Sequence, residues 1–178
     1  MFRKGDRVMY PNHGAAAIEA LVERDTSGER RTYMQLHFVR GQLTIMVPVD
    51  NAEQVGVREV ISPEEIEKVF AFLREEEGWT PPLWSQRYKL NLAKLVSGDV
   101  YQGAELVRDL SIRQSRRPLS PAEKRILDRA REILISELSY AIDCTGEDAE
   151  AMLDQVLAEP KLRRRPRRAT APSAMSGR

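Results

Sequence analysis

The fold is decided at residues 57–73, which read VREVISPEEIEKVFAFL. On the N-terminal side of this stretch apolar residues alternate with polar ones, and on its C-terminal side they recur every three or four residues. Within it, Ser62 is a favourable N-cap, Pro63 suits the first helical position, and Glu65 stands where a capping box places an acidic residue. The stretch therefore predicts where a β-sheet part of the chain ends and a helical part begins.

Three segments before this stretch carry the period of two that indicates short antiparallel strands. The apolar positions that we expect to share a face in each segment are Ile18, Ala20 and Val22, then Met34, Leu36 and Phe38, then Leu43, Ile45, Val47 and Val49. About 60 residues of such strands favour a small, strongly bent barrel of the SH3 or Tudor class over a two-layer sandwich.

Pro48 lies inside the third of these strands. Because proline has no N–H to donate to a neighbouring strand, we expect this strand at an edge of the sheet. Met46 and Pro48 point away from the face that carries Ile45 and Val47, and an edge with outward apolar side chains needs cover. Either a partner protein pairs with this edge or another part of the chain covers it, and the sequence leaves both open.

The apolar period after Ser62 predicts five helices, near residues 63–73, 84–97, 99–115, 121–143 and 146–158. Ser120-Pro121-Ala122-Glu123 repeats the capping box at the start of the fourth. We predict an α+β fold, in which a small N-terminal Tudor/SH3-like antiparallel β-barrel (residues 1–60) is followed by a compact all-α domain (residues 61–160) of about five helices. Residues 161–178 have no apolar period and predict a basic disordered tail.

The net charge of +1 hides a segmental pattern. Residues 79–118 carry +4 and residues 161–178 carry +7, whereas residues 54–78 carry −4 and residues 119–160 carry −6. Charge asymmetry of this kind indicates a polyanion as partner, which the net charge alone does not.

Several classes of function are disfavoured by what the sequence lacks. One cysteine, Cys144, excludes an internal disulfide and a Cys-cluster zinc site, and two histidines cannot build a His-rich metal site. No phosphate-binding loop or catalytic motif is present, so we expect neither an enzyme nor a cofactor. With no apolar run of about 18 residues and no signal peptide, we expect a cytoplasmic monomer without a membrane partner.

Trp84 is the residue whose role the sequence leaves most open. It follows Pro81-Pro82-Leu83 in the +4 segment, at the start of the second predicted helix. Trp84 lies four residues before Tyr88, so the two rings could share one buried face of the helix. Alternatively, an exposed aromatic followed by Arg87 and Lys89 would suit a wedge or stacking platform on nucleic acid, with the cations on phosphates.

Lys124 and Arg125 open the longest predicted helix. Cations at a helix N-terminus oppose its dipole, which is slightly unfavourable unless an anion binds there. These two residues therefore either help to hold a phosphate or are solvated side chains that pair with Glu123 or Asp128.

Four blocks of sequence, in order between residues 2 and 158, resemble the CarD/CdnL family of bacterial RNA-polymerase-binding transcription regulators. The first is GDRVMYPNHG at residues 5–14 and the second is VPV at 47–49 with VGVREV at 55–60. The third is WSQRYK at 84–89, followed by Leu95, SGD at 97–99 and RDL at 108–110, and the fourth is Leu119-Ser120 with Glu123-Lys124-Arg125.

The resemblance implies a Tudor-like domain that binds the lobe of the RNA polymerase β subunit. It also implies a helical domain that contacts promoter DNA at the upstream edge of the melted bubble and stabilises the open complex. The polymerase contacts implied are Arg24, Met46 and Pro48. The DNA contacts implied are Trp84, as a minor-groove wedge, with Arg87, Lys89 and Lys124, to which the helix-terminus argument adds Arg125.

This chain departs from the family at some positions. Other members have Arg at the position of Met46, and often Arg at the position of Gln86. The basic tail lies outside the family pattern. The alternative function is a nucleic-acid-binding adapter that acts independently of polymerase.

Overall fold

The computed structural model describes residues 2–26, 28–38 and 42–161, and the side chain of Thr26 is not among the atoms described. Five strands form one antiparallel sheet in the order β4-β3-β2-β1-β5. Their bounds are β1 Arg7–Tyr10, β2 Gly14–Thr26, β3 Glu29–Phe38, β4 Leu43–Pro48 and β5 Arg58–Glu59, with a 3-10 turn at Val49–Asn51. In the described part of the chain β4 and β5 do not pair, so the sheet is barrel-like but open.

The alternation predicted for β3 is confirmed, and that for β4 is confirmed from Leu43 to Val47, whereas Val49 lies in the 3-10 turn that follows. Met34, Leu36 and Phe38 are buried, and Val47 and Ile45 lie opposite Met34 and Leu36 on the same face. Since β4 ends the strand order, the prediction that the Pro48 strand lies at an edge is also confirmed.

The predicted alternation of β2 is wrong after Ile18, because the strand contains a bulge. Ile18 pairs with Leu36, but Ala20 pairs with the very next residue of β3, Gln35, so Glu19 is an extra residue in a β-bulge. The bulge reverses the side-chain alternation after Ile18. Ile18 is buried in the core, and Ala20 therefore lies on the opposite face together with Val22.

Within the described residues five helices follow the sheet, and the predicted α+β fold is confirmed. They are α1 Pro63–Leu73, α2 Trp84–Val96, α3 Val100–Arg116, α4 Pro121–Ile142 and α5 Gly146–Ala158. At α4 the predicted capping box is complete, with Ser120 and Glu123 bonded reciprocally. At α1 only half of it forms, because Ser62 accepts from the Glu65 N–H while the Glu65 carboxylate accepts from Lys68 and Tyr101.

Most of the predicted basic tail, residues 162–178, lies outside the described residues, as do Ser27 and residues 39–41. Lys161 was predicted to begin the tail, but it is half-buried and its Nζ donates to the Leu73 carbonyl at 3.1 Å. The predicted domain limits at residues 60 and 160 stay a prediction.

A buried ion pair joins the sheet to the helices. Arg58 on β5 donates from both Nη atoms to the Glu137 carboxylate of α4, at 2.5 and 2.9 Å, and its Nε donates to the Gly98 carbonyl at 2.8 Å. The Ile61 N–H adds a third donor to Glu137, whose side chain is 2% exposed. The Arg58–Glu137 pair thus connects β5 and α4, and through Arg58 also the connection between α2 and α3.

The first residue of β2 lies directly against α4. Gly14 has a φ of +98°, and a Cβ there would come within 2.6 Å of the Ser136 Oγ. That hydroxyl accepts the Ala15 N–H at 2.9 Å and donates to the Ile133 carbonyl at 2.6 Å. Only glycine fits this close approach, so β2 and α4 meet at a fixed distance.

We predict that Glu137→Gln destabilises the protein by about 1–3 kcal/mol, because it leaves the Arg58 guanidinium without its counter-charge in a largely buried site. Urea unfolding at neutral pH measures the loss. Glu132→Gln is the matched control on the same helix, since Glu132 forms only an exposed pair with Arg129 and such pairs contribute little. Equal losses in the two variants would contradict the central role of Glu137.

Candidate nucleic-acid and protein interfaces

Trp84 is exposed at the first turn of α2. Its relative exposure is 48%, and its ring stacks on Tyr88 with centroids 5.3 Å apart and planes 14° apart. Of the two alternatives left by the sequence, burial in the core is therefore excluded. The i, i+4 spacing brings the rings together, but Tyr88 packs on the core while Trp84 lies over it on the surface.

The segment before Trp84 is fastened to the helices beneath it. Arg87 donates from Nη1 to the carbonyls of Pro81, at 3.2 Å, and Pro82, at 2.6 Å. The Gly78 N–H donates to the Asp109 carboxylate at 3.3 Å, and Pro81 is buried. These contacts fix the backbone that leads into the exposed tryptophan.

Arg87 is thus placed differently from a phosphate-binding arginine. Its side chain is only 11% exposed, and besides the two carbonyls it faces the Glu123 carboxylate, with Nε 3.8 Å from Oε1. The predicted DNA contact of Arg87 stays a prediction, but this geometry favours a role in positioning Trp84.

Glu123, in the first turn of α4, is a buried carboxylate that faces two arginines. Its carboxylate accepts the N–H and hydroxyl of Ser120, and Oε1 lies 3.6 Å from the Arg113 Nε as well as close to Arg87. Burial raises the pKa of Glu123, but the Ser120 hydrogen bonds and the charges of Arg113 and Arg87 outweigh it, so the pKa lies below its ordinary value of 4.5. Burial, then repulsion by Arg87 and Arg117, lowers the pKa of Arg113.

Three predicted DNA contacts are exposed cations. Lys89 lies on α2 and Lys124 and Arg125 lie in the first turn of α4, and none of the three has an ion-pair partner among the described residues. The pairing with Glu123 or Asp128 considered from the sequence is therefore not found. Because Pro121 has no N–H and Ser120 accepts the Glu123 N–H, an anion at this helix end would be held mainly by side chains.

The +4 count of residues 79–118 overstates the charge on the surface. Four of its seven cations have side chains at most 19% exposed that face carboxylates, namely Arg87, Lys94, Arg108 and Arg113. Arg116 is more exposed but pairs with Glu77. Lys89 and Arg117 are the two remaining cations of this segment, and both are exposed.

Arg108 shows a role that charge counting did not predict. It is fully buried, with its guanidinium 4.6 Å from the Phe72 ring centroid and its Nε donating to Asp109 at 2.8 Å. Because Asp109 in turn accepts the Gly78 N–H, this pair supports the segment that carries Trp84. The sequence signal was the RDL block of the family resemblance, without a role attached.

The three predicted polymerase contacts lie on one face of the sheet. Residues directly opposite each other on neighbouring strands share a face, and this face is the reverse of the buried one. Its cross-strand rows are Arg24–Arg31, Val22–Tyr33–Pro48 and Ala20–Gln35–Met46. Arg24 is exposed, and Met46 and Pro48 are half-buried. Their contacts with polymerase stay a prediction.

The described residues show few features of a catalytic or metal-binding site. Burial and then Asp148 raise the pKa of the Cys144 thiol, which makes it a poorer nucleophile. No cluster of three potential metal ligands occurs among these residues. Within residues 2–26, 28–38 and 42–161 no helix is both long and apolar enough to cross a membrane.

We predict that Glu123→Gln lowers stability at neutral pH by about 1–3 kcal/mol, since Arg87 and Arg113 lose their buried counter-charge. The pKa of Glu123 in the folded state lies below its ordinary value of 4.5. The carboxylate therefore stabilises the fold fully above pH 4.5, and this stabilisation is lost as the pH falls through the folded-state pKa. The difference between wild type and variant should therefore shrink in acid, which urea unfolding across acidic pH measures. With exposed Asp128→Asn as control, a pH-independent difference for Glu123→Gln would contradict this assignment.

Comparison with known proteins agrees with this architecture. Residues 2–61 match the family described as "CarD-like/TRCF RID domain", and residues 68–154 match "CarD, C-terminal domain". YdeB of Bacillus subtilis (strain 168), which carries a provisional assignment as a transcription factor, is 35% identical over 138 residues, or 78% of this chain and 90% of YdeB. The resemblance read from the sequence is confirmed, and the chain belongs to the CarD family of transcription factors.

Proposed function

We propose that the protein binds the RNA polymerase β subunit through the sheet face that carries Arg24, Met46 and Pro48. Trp84 then contacts promoter DNA at the upstream edge of the bubble and stabilises the open complex. The observation that carries the proposal is the placement of Trp84, which is 48% exposed on a backbone fixed by Arg87 and Asp109. The protein acts as a cytoplasmic monomer and needs no cofactor.

The polymerase contact rests on the edge strand β4. An edge strand offers unpaired backbone N–H and C=O groups to a strand of another protein. Apolar Met46 and Pro48 beside this edge supply side-chain contacts, and Arg24 supplies a charge two strands away. Because Met46 replaces an arginine found in other members, the contact here is more apolar and less sensitive to salt.

The DNA contact uses a ring more than charge. Inserting a side chain between base pairs costs a few kcal/mol in intact duplex and less where the helix is already distorted, as at a bubble edge. Trp84 therefore binds the opened state better than the closed one, while Lys89, Lys124 and Arg125 hold phosphates. A difference of about 1.4 kcal/mol between the two states shifts the equilibrium about tenfold.

Tethering makes a weak DNA contact sufficient. Once the sheet is bound to polymerase, the second contact is intramolecular and benefits from a high effective concentration. The Arg58–Glu137 pair and the Gly14–Ser136 approach favour a fixed distance between the two surfaces.

We expect open complexes to live about tenfold less long with the Trp84→Ala variant than with the wild-type protein, because the stacking contact with the opened DNA is lost. Decay of open complexes on one promoter after addition of a competitor measures this. Trp84→Phe, which keeps an aromatic ring, should retain most of the effect, and polymerase binding should be unchanged in both. An unaltered lifetime with Trp84→Ala would rule out the wedge.

We expect Met46→Glu to weaken polymerase binding at least about tenfold, because a carboxylate is placed on the apolar part of the edge face. Co-purification with polymerase measures binding, and thermal unfolding checks that the sheet is intact. Met152→Glu, the same substitution at an exposed position of α5, is the control and should bind normally. If wild type itself captured no polymerase subunit but bound DNA, the adapter function would replace this proposal.

A further inference from the structure

Trp79 is the most exposed large apolar side chain in the described part of the chain, at 79%. It lies five residues before Trp84, so their Cα atoms are at most about 18 Å apart. Leu83, between them, is 59% exposed. The proposed wedge accounts for Trp84 but gives no role to Trp79.

The backbone on both sides of Trp79 is anchored. The preceding residue, Gly78, donates its N–H to Asp109, and Glu77 pairs with Arg116 at the end of α3. On the other side Pro81 is buried and its carbonyl accepts from Arg87. A large ring is thus held out into solvent by a backbone that packing and hydrogen bonds fix from beneath, which lowers the entropy lost when it binds.

The two tryptophans differ in how much of each indole ring is exposed to solvent. Trp84 has one ring face covered by Tyr88 at 5.3 Å, which suits a wedge supported from behind. At 79% exposure Trp79 has most of both ring faces in solvent, which suits stacking on a base that is itself unpaired.

The exposed cations in the segment that carries Trp79 suit a nucleic-acid partner. Arg116 pairs with Glu77 and Arg87 donates to the Pro81 carbonyl, so two cations contact the chain within two residues of Trp79. Arg117 and Lys89 are exposed in the same segment. An aromatic ring among cations is the arrangement that binds single-stranded nucleic acid, with bases on the ring and phosphates on the charges.

We propose that Trp79 is a second nucleic-acid contact, which stacks on an unpaired base of the melted strand next to the duplex that Trp84 engages. The inference rests on the proposed function and deepens it. The two rings would together recognise a junction between paired and unpaired DNA.

The chain has only two tryptophans, so intrinsic fluorescence can report on each ring separately. The full chain with Trp84→Phe retains Trp79 as its single indole, and Trp79→Phe retains Trp84. Each is titrated at low salt with a forked DNA that has unpaired arms, with the same fork carrying abasic arms, and with the fully paired duplex.

With Trp84→Phe we expect the fork to quench Trp79 fluorescence, and the abasic fork and the duplex to leave it nearly unchanged. Trp79→Ala should weaken binding to the fork about tenfold and binding to the duplex little. Thermal unfolding should be unaffected, since the side chain is exposed.

Absence of quenching of Trp79 by the fork would overturn the inference, and so would equal quenching by the abasic fork. A change in sedimentation of Trp79→Ala relative to wild type would instead assign the ring to contact between two copies, and would overturn it too. If Trp79→Ala left fork binding intact while Trp84→Ala still shortened open-complex lifetime, the inference would fail and the proposed function would stand.

Discussion

The arrangement of the molecule depends on a single buried carboxylate, that of Glu137. It accepts three hydrogen bonds, two from Arg58 on β5 and one from the Ile61 N–H that begins the connection to α1. Burying such a charge is unfavourable unless it is paired and hydrogen-bonded, so any docking of the sheet on α4 that separated Glu137 from Arg58 would be penalised. An apolar contact of the same area would tolerate sliding. The polar contact fixes one orientation, and on the proposed function that orientation sets the distance between the polymerase-binding face and Trp84.

Buried carboxylates paired with arginines also lie beneath Trp84. Glu123 takes the charges of Arg87 and Arg113, and Asp109 takes that of Arg108 while holding the Gly78 N–H. Both carboxylates are nearly buried and lie on helices of the core. Much of the positive charge in the middle of the chain therefore builds the platform instead of lying on the surface.

The sequence predicted those features that depend on local periodicity and capping. The five helices and the alternation of β3 follow from residue spacing, and the Ser120 capping box follows from four consecutive residues. The bulge at Glu19 did not follow, because an extra residue in β2 is visible only through its register with β3. Trp84 was ambiguous for a similar reason, since the same i, i+4 spacing serves both a buried pair and a surface ring stacked on a half-buried Tyr88. The pairing of Arg58 with Glu137 spans 79 residues, and no local pattern indicates it.

On the proposed function, the small number of free cations at the DNA-binding surface has a physical consequence. Non-specific affinity for duplex DNA rises with the number of phosphates neutralised, and it is lost as salt increases. Among the residues predicted to contact DNA, Lys89, Lys124 and Arg125 are exposed cations and Arg87 is not. We expect a surface of this composition to bind intact duplex weakly at physiological salt. On the proposed function, most of its discrimination comes from aromatic rings that act where bases are already unstacked. On the proposed function, it is useful that affinity comes more from rings than from charge. A strongly basic surface would bind closed and open promoters equally well and would not shift the equilibrium between them. A fixed ring beside a small number of cations favours the opened state.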